Sequence, residues 1–175
     1  MEGWAGELTD HETAAGADGR WVLLCYRVPR EPSTPRIAIW RKLKRLGVAQ
    51  VGDGVVALPA DARTREQLEW VADDVEQAGG TAMLWTAAPG SREQERRLAE
   101  QMQAARAEEY AAVQQEAESA RSGPAADRAG ALRRLRAELR RIERRDYLPP
   151  EEKDAARAAL AALAAVIADE SGELV

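Results

Sequence analysis

The stretch WVLLCYRVPREPSTPRIAIWRKLKRLGVAQVGDGVVALP, residues 21–59, contains the pattern that decides the fold of the first half of the chain. Residues 21–28 are apolar at odd and even positions alike until Arg27, which predicts a central strand with both faces covered. A proline-rich turn then leads into a helix. The predicted buried stripe of this helix consists of Ile39, Trp40, Leu43 and Leu46.

Both ends of this first helix are marked by residues that are typical of helix termini. Ser33 or Thr34 is the predicted N-cap, and Pro35 suits the first helical position, where a missing N–H costs nothing. Gly47 is placed to end the helix, because glycine adopts the left-handed conformation of a C-terminal cap. We therefore expect a helix over about residues 35–46.

The segment that follows predicts a hairpin, a second helix and a fourth strand. Residues 48–59 read as two short strands joined at Gly52-Asp53-Gly54, a strong hairpin signal. Thr64 is the predicted start of the second helix, with Gln67 completing a capping-box pattern. Residues 81–87 supply the fourth strand. The apolar face predicted for the second helix is formed by Leu68, Val71, Ala72 and Val75.

This order of strand, helix, strand, strand, helix, strand predicts an α+β fold of the ferredoxin-like βαββαβ type over residues 20–88. Such a sheet has four antiparallel strands and carries both helices on one face. The first strand is nevertheless apolar on both faces, so the second face needs a cover. Either a partner subunit or the C-terminal segment of the same chain could supply it.

After residue 90 the composition changes to helix-forming residues, which predicts a three-helix extension over residues 91–168. The first helix is broken at Ser122-Gly123-Pro124. The third has Leu160, Leu163 and Ile167 on its apolar face. The second has a coiled-coil-like seam, which could pack within the chain or join two copies in a homodimer, made of Leu132, Leu135, Leu139 and Ile142.

Composition limits the possible chemistry of the protein. Cys25 and His11 are the only cysteine and the only histidine, so we expect no zinc or iron site, no cofactor and no catalytic Cys–His or Ser–His–Asp arrangement. Cys25 is expected to be buried and inert. Residues 1–19 are acidic and lack an apolar core, so they predict a disordered tail and no signal peptide. The apolar runs are too short to span a bilayer. We expect a cytoplasmic protein that is not an enzyme.

Positive charge is concentrated in two places in a chain whose net charge is -5. Residues 27–45 contain seven cations and one acid, so they carry +6 and the rest of the chain carries -11. Residues 128–145 contain eight arginines against two glutamates, which is again +6. Such surfaces bind polyanions by neutralising phosphates, although an exposed arginine-rich helix face is often only solvated.

Two ligands fit these clusters, and composition does not separate them. Arginine has a planar fork that suits either ligand. DNA would be bound by the helix faces that carry Arg41, Lys42, Lys44, Arg45, Arg133, Arg134, Arg140 and Arg141. A small oxyanion would be bound near the first helix N-terminus by Arg27, Arg30, Ser33, Thr34 and Arg36.

Residues 21–59 closely resemble the N-terminal region of the bacterial chromate-resistance protein ChrB. The pattern W-x-L-L-x-Y-x-V-P-x-E-P-S-x-x-R-x-x-x-W-R-x-L-K-x-L-G of that family runs here from Trp21 to Gly47 and continues into Asp53-Gly54-Val55. Similarity extends through EEY at 108–110 and RRIERRDYLP at 140–149. A looser similarity links the region to PaaX-type transcriptional repressors.

This resemblance implies a regulator of a chromate-efflux operon that binds promoter DNA and responds to chromate. Longer ChrB proteins carry a second domain after this region, and this chain stops at Val175. DNA and chromate are therefore the expected partners, together with a second copy of the chain. The alternative is an adaptor that senses chromate or sulfate without contacting DNA.

Overall fold

The computed structural model describes residues 19–172, so nearly all of the predicted tail, residues 1–19, lies outside the described residues. Within this range, four antiparallel strands form one sheet in the order β2-β3-β1-β4, and five helices accompany it. The α+β class is confirmed. In chain order the elements are β1 (Trp21–Arg27), α1 (Ser33–Leu46), β2 (Ala49–Gly52), β3 (Val55–Pro59), α2 (Ala62–Gln77), β4 (Thr81–Ala87), α3 (Arg92–Ser122), α4 (Ala125–Glu143) and α5 (Glu152–Gly172).

The first face of the sheet packs against α1 and α2. Val22 and Leu24 of β1 lie opposite Leu58 and Val56 of β3 in the antiparallel register, and all four side chains are buried. The apolar faces of both helices join the same core through Ile39, Leu43, Leu68, Val71 and Val75.

The second face of the sheet is partly covered by α3. Trp21 is fully buried, and it lines a groove of about 450 Å³ together with Leu23 of β1 and Leu98 of α3. Ala99 and Met102 of α3 belong to the same core as Trp21. Of the two candidate covers, the C-terminal segment is thus confirmed at this end of the sheet.

A second core holds the helical half of the chain together. It is built by the later turns of α3, by α4 and by α5, and it includes Tyr110, Leu135 and Leu163. The predicted seam of α4 faces this core, with Leu132, Leu135 and Ile142 buried and Leu139 packed against them. The hypothesis that the seam joins two copies of the chain is therefore wrong, because α3 and α5 of the same chain occupy it.

Two predicted helix starts are wrong. No side chain caps α1, whose N-cap position is Pro32, so Ser33 and Thr34 lie inside the first turn. In α2 the N-cap is Asp61, which accepts a hydrogen bond from the backbone N–H of Thr64 at 2.6 Å, while the Thr64 hydroxyl accepts one from Asp61 N at 3.0 Å. Thr64 is thus the N3 residue, the last of the four in a capping box that begins three residues earlier than expected.

Two side chains expected in the core lie closer to solvent. Trp40 is 53% exposed, because it is one residue, or about 100° of helix rotation, away from the buried Ile39. Cys25 is only partly buried, on the second face of the sheet next to the exposed Met83 of β4. Both predictions were wrong because they assumed that every residue of an apolar sequence pattern is fully buried.

Candidate anion-binding cleft

An open cleft of about 800 Å³ lies where β1, α1 and the β2–β3 hairpin meet. Arg27 ends β1, Arg30 lies in the following turn, and Arg36 is in the first turn of α1. These three predicted anion-binding arginines therefore converge on one space. The complete lining is Tyr26, Arg27, Val28, Pro29, Arg30, Arg36, Ile37, Trp40, Gln50, Asp53 and Gly54.

The three arginines of the cleft are not neutralised by acidic side chains. Within residues 19–172, no carboxylate oxygen lies within 4.0 Å of the guanidinium nitrogens of Arg27, Arg30 or Arg36. Among the described residues that line the cleft, Asp53 is the one that is acidic. Because unpaired guanidinium groups favour a negatively charged partner, the cleft has the electrostatic character of an anion site.

Gly54 brings the hairpin against the end of β1. Its carbonyl accepts a hydrogen bond of 2.7 Å from Tyr26 N, and a Cβ at this position would lie 2.4 Å from the Tyr26 carbonyl oxygen. Its φ of +70° is also one that favours glycine. Gln50 of β2 and Asp53 of the turn before Gly54 line the same cleft as the arginines.

Aromatic side chains add a second kind of surface to the cleft. Trp40 presents one wall, and Lys44 Nζ lies 5.6 Å from the centroid of its ring. Burial raises the pKa of Tyr26, so its hydroxyl keeps its proton at neutral pH and is able to donate a hydrogen bond. Sequence reasoning missed both residues, although their positions beside the basic cluster were a usable signal.

Ser33 and Thr34, the remaining predicted anion ligands, do not line the cleft. They lie in the first turn of α1 and are exposed. Their predicted role depended on an N-cap position that Pro32 occupies. The structure therefore brings together three of the five predicted ligands.

The cations of α1 predicted to contact DNA fall into separate groups. Lys42 Nζ lies 2.5 Å from Asp74 Oδ2 of α2, so this charge already has a partner. Arg41 and Arg45 are exposed and have no carboxylate within 4.0 Å among the described residues. Lys44 is exposed and lies over the ring of Trp40.

Half of the arginines of the second cluster are used in ion pairs within the helical half. Arg134 pairs with Glu116 of α3 at 2.6 Å, and Arg141 pairs with Glu138 at 2.5 Å. Arg128 pairs with Glu170, and Arg145 pairs with Glu109 at 3.0 Å. Two of the predicted DNA contacts, Arg134 and Arg141, are thus neutralised.

The other arginines of this cluster form one stripe, which we call the arginine stripe. Its members are exposed, and no carboxylate lies within 4.0 Å of them in the part of the chain that the structure describes. Their spacing of three, four and four residues places them on one face of the helix or its C-terminal cap. The arginine stripe consists of Arg133, Arg136, Arg140 and Arg144.

Residues 19–172 contain neither a metal-binding cluster nor a membrane-spanning helix. No group of three or more His, Cys, Asp and Glu side chains is arranged to hold a metal ion there. None of the helices in this range is both long and apolar enough to cross a membrane.

Comparison with known proteins gives two matches. The family model described as Protein ChrB, N-terminal, matches residues 36–121. Protein ChrB of Cupriavidus metallidurans is 32% identical over 135 residues, which cover 75% of this chain and 41% of that protein. The chain thus spans less than half the length of this curated relative.

Proposed function

The chain belongs to the ChrB family, and on this premise we propose that it acts in chromate resistance by binding chromate or a similar oxyanion in the cleft. The observation that carries this proposal is the convergence of Arg27, Arg30 and Arg36, which have no carboxylate partner among residues 19–172. The role is one of binding without catalysis. A single histidine and a single cysteine support this, because they leave few means of activating a nucleophile.

Isothermal titration calorimetry with chromate at fixed ionic strength tests the cleft. We expect the intact protein to release or absorb heat and the Arg30→Ala, Arg36→Ala double variant to bind at least tenfold more weakly. The matched control is Arg41→Ala, Arg45→Ala, which removes the same charge from α1 outside the cleft lining and should bind as the intact protein does. An absence of heat with intact protein, or equal loss in both variants, would contradict an anion site here.

We also propose that the protein binds DNA as a transcriptional regulator, and the arginine stripe supports this second role. Four unpaired guanidinium groups along one helix face can each contact a phosphate of a polyanion. Arg41 and Arg45 of α1 extend the set of unpaired cations. The DNA contacts are accordingly reassigned on α4 from the paired arginines, Arg134 and Arg141, to Arg136 and Arg144, with Arg133 and Arg140 retained.

Fluorescence anisotropy with DNA from upstream of the protein's own gene, at several salt concentrations, tests this role. Arg133→Ala, Arg140→Ala should weaken binding and reduce the slope of log K against log salt by about 2, one phosphate contact per arginine. The control is the double variant Arg134→Ala, Arg141→Ala, which removes the same charge from arginines that are already paired with glutamates. It should change the slope much less. Absence of binding by intact protein at low salt would eliminate the DNA role and leave the oxyanion role standing.

We further propose that residues 20–88 have the ferredoxin-like fold. The element order β1-α1-β2-β3-α2-β4 and the strand order β2-β3-β1-β4 support this assignment. An experimental structure in which α1 and α2 lie on opposite faces of the sheet would contradict it.

A further inference from the structure

The two edges of the sheet differ in how they are protected from pairing with another strand. At one edge, β2 has four residues, its register with β3 is interrupted between Gln50 and Gly52, and α3 lies against it. At the other edge, β4 has seven residues, and its pairing with β1 is regular throughout. Short length, bulges and covering helices are the usual means of blocking an edge strand, and in the described part of the chain β4 has none of them along its free edge.

The sequence of β4 also lacks the residues that keep edge strands apart. Residues 77–91 contain no charged side chain, which makes them the longest uncharged run in a chain that is 31% charged. β4 itself contains neither lysine nor proline. On the face of the sheet that α3 leaves open, Met83 is 57% exposed and Trp85 is 54% exposed. A free edge and an open apolar patch therefore coincide.

We propose that β4 pairs with β4 of a second copy of this chain in an antiparallel arrangement, so that the two sheets become continuous. The strand sequence TAMLWTA is complementary to itself when the twofold axis passes through Leu84. In that register Met83 lies opposite Trp85 of the partner subunit, and Trp85 lies opposite the partner's Met83. Both cross-strand pairs are then a methionine beside an aromatic ring, which is a favourable contact.

A second copy fits this edge better than a strand of an unrelated protein, because the same contact is made twice and no charge is buried. The uncharged edge offers no electrostatic feature by which a different partner would be selected. Within residues 19–172, the seam of α4 is already filled by α3 and α5, so it does not compete as the dimer contact.

Analytical ultracentrifugation of the full chain over a range of concentrations tests the proposal. Intact protein should sediment as a dimer that dissociates on dilution. Met83→Lys, Trp85→Lys places like charges opposite each other in the proposed register and should weaken the dimer at least a hundredfold. Met83→Lys, Trp85→Glu places opposite charges there and should recover most of the dimer. Circular dichroism verifies that both variants are folded.

Hydrogen exchange supplies an independent readout of the same contact. We expect the amides of residues 81–87 to be protected at high concentration and to exchange faster on dilution. Three results would overturn the proposal: a monomer at the highest concentration, a dimer that the double-lysine variant leaves intact, or equal weakening by both double variants. Each concerns assembly alone and is separable from the chromate and DNA measurements.

Discussion

At the scale of single residues, Gly47 is the point at which the first half of the chain meets the second. It ends α1 with a φ of +74°. A Cβ at this position would lie 2.7 Å from Nη1 of Arg106 in α3 and 3.1 Å from the backbone oxygen of Arg145. Two constraints thus act on one residue, since its backbone conformation favours glycine and its surroundings leave no space for a side chain.

Gly47→Ala should therefore destabilise the protein by about 3 kcal/mol, the sum of backbone strain and a steric clash. Gly79→Ala is the matched control, because Gly79 has a φ of +75° but nothing within 4 Å of its Cβ position. Gly79→Ala should lower the free energy of unfolding by about 1 kcal/mol, from backbone strain alone. Urea denaturation measures both. Equal losses would show that Arg106 and Arg145 move aside without cost.

Because of Tyr110, the stability of the helical half should decrease at alkaline pH. Its hydroxyl donates a hydrogen bond of 2.8 Å to Oδ2 of Asp146. Burial raises the pKa of Tyr110, and the hydrogen bond to the Asp146 carboxylate raises it further. The native state therefore holds the phenolic proton more tightly than the unfolded state, in which tyrosine titrates near a pKa of about 10.

Comparison of the intact protein with Tyr110→Phe tests this linkage. Below pH 10 the intact protein should be more stable by about 2 kcal/mol, because the hydroxyl bonds a charged acceptor. As the pH rises above about 10, this advantage should decrease, since the unfolded state gains by releasing the proton. Tyr26 and Tyr147 are present in both proteins, so they cancel in the difference. An advantage that stays constant to pH 11 would contradict the raised pKa.

At the scale of secondary-structure elements, α2 depends on a cap in which two residues bond each other. Asp61 and Thr64 exchange hydrogen bonds, and the Thr64 hydroxyl also donates to the carbonyl of Pro59 at 2.7 Å. Thr64 is fully buried. The cap thus fixes the start of α2 to the end of β3.

Asp61→Ala should lower the free energy of unfolding by about 1 kcal/mol, the usual cost of losing an N-cap acceptor. Asp73→Ala in the same helix removes an equal charge from an exposed position and should change it by less than about 0.5 kcal/mol. Thermal and urea unfolding of the two variants give the comparison. A loss for Asp61→Ala no larger than for the control would contradict the capping role.

The order of these elements was predictable from the sequence because local patterns encode it. Alternation and apolar runs located the strands, helical spacing located the buried Leu68, Val71 and Val75, and glycines located the hairpin and the end of α1. The start of α2 was missed because Asp61 and Thr64 are both good caps. What separates them is the hydrogen bond from the Thr64 hydroxyl to the carbonyl of Pro59, which buries Thr64 against the end of β3 and leaves Asp61 as the N-cap.

The candidate site was predictable where its residues are close in sequence. Arg27, Arg30 and Arg36 were expected together because a strand, a turn and a helix start bring them together. The pairing of Arg128 and Arg134 was not predictable, because Glu170 and Glu116 belong to other helices. Arg141, in contrast, pairs with Glu138 three residues away in the same helix. Which arginines remain unpaired depends on how the helices are rotated against each other, and periodicity along one helix does not report that rotation.

At the scale of the whole molecule, α3 and the segment after α4 connect the two cores. α3 buries Met102 in the core of the sheet half and Tyr110 in the core of the helical half. The Tyr147 hydroxyl donates a hydrogen bond of 3.1 Å to the carbonyl of Leu46, and Leu148 is buried in the sheet core. The division into residues 20–88 and 91–168 stays a prediction, and these contacts lead us to expect that the two parts unfold together.

Two spectroscopic signals separate the halves. Of the five tryptophans, the four that the structure describes (Trp21, Trp40, Trp70 and Trp85) lie in β1, α1, α2 and β4, and none follows residue 85, so changes in tryptophan fluorescence report the sheet half. Far-UV circular dichroism is dominated by helix, most of which lies in α3, α4 and α5. For the intact protein we expect the two signals to give the same urea midpoint, because loss of the sheet core would expose the first turns of α3. Separate midpoints would instead support two independent domains.

Tyr147→Ala should weaken this coupling without removing a residue from the core of the helical half. It deletes the hydrogen bond to Leu46 and the ring over which the guanidinium of Arg63 lies, 5.5 Å from the ring centroid. The urea midpoint measured by fluorescence should then fall below the midpoint measured by circular dichroism. The corresponding loss in the free energy of unfolding of the sheet half should be about 2 kcal/mol. Val113→Ala, inside the helical core, is the control and should affect the circular dichroism signal at least as strongly as fluorescence. If Tyr147→Ala shifts both signals equally, α3 alone couples the halves and the segment after α4 adds only stability.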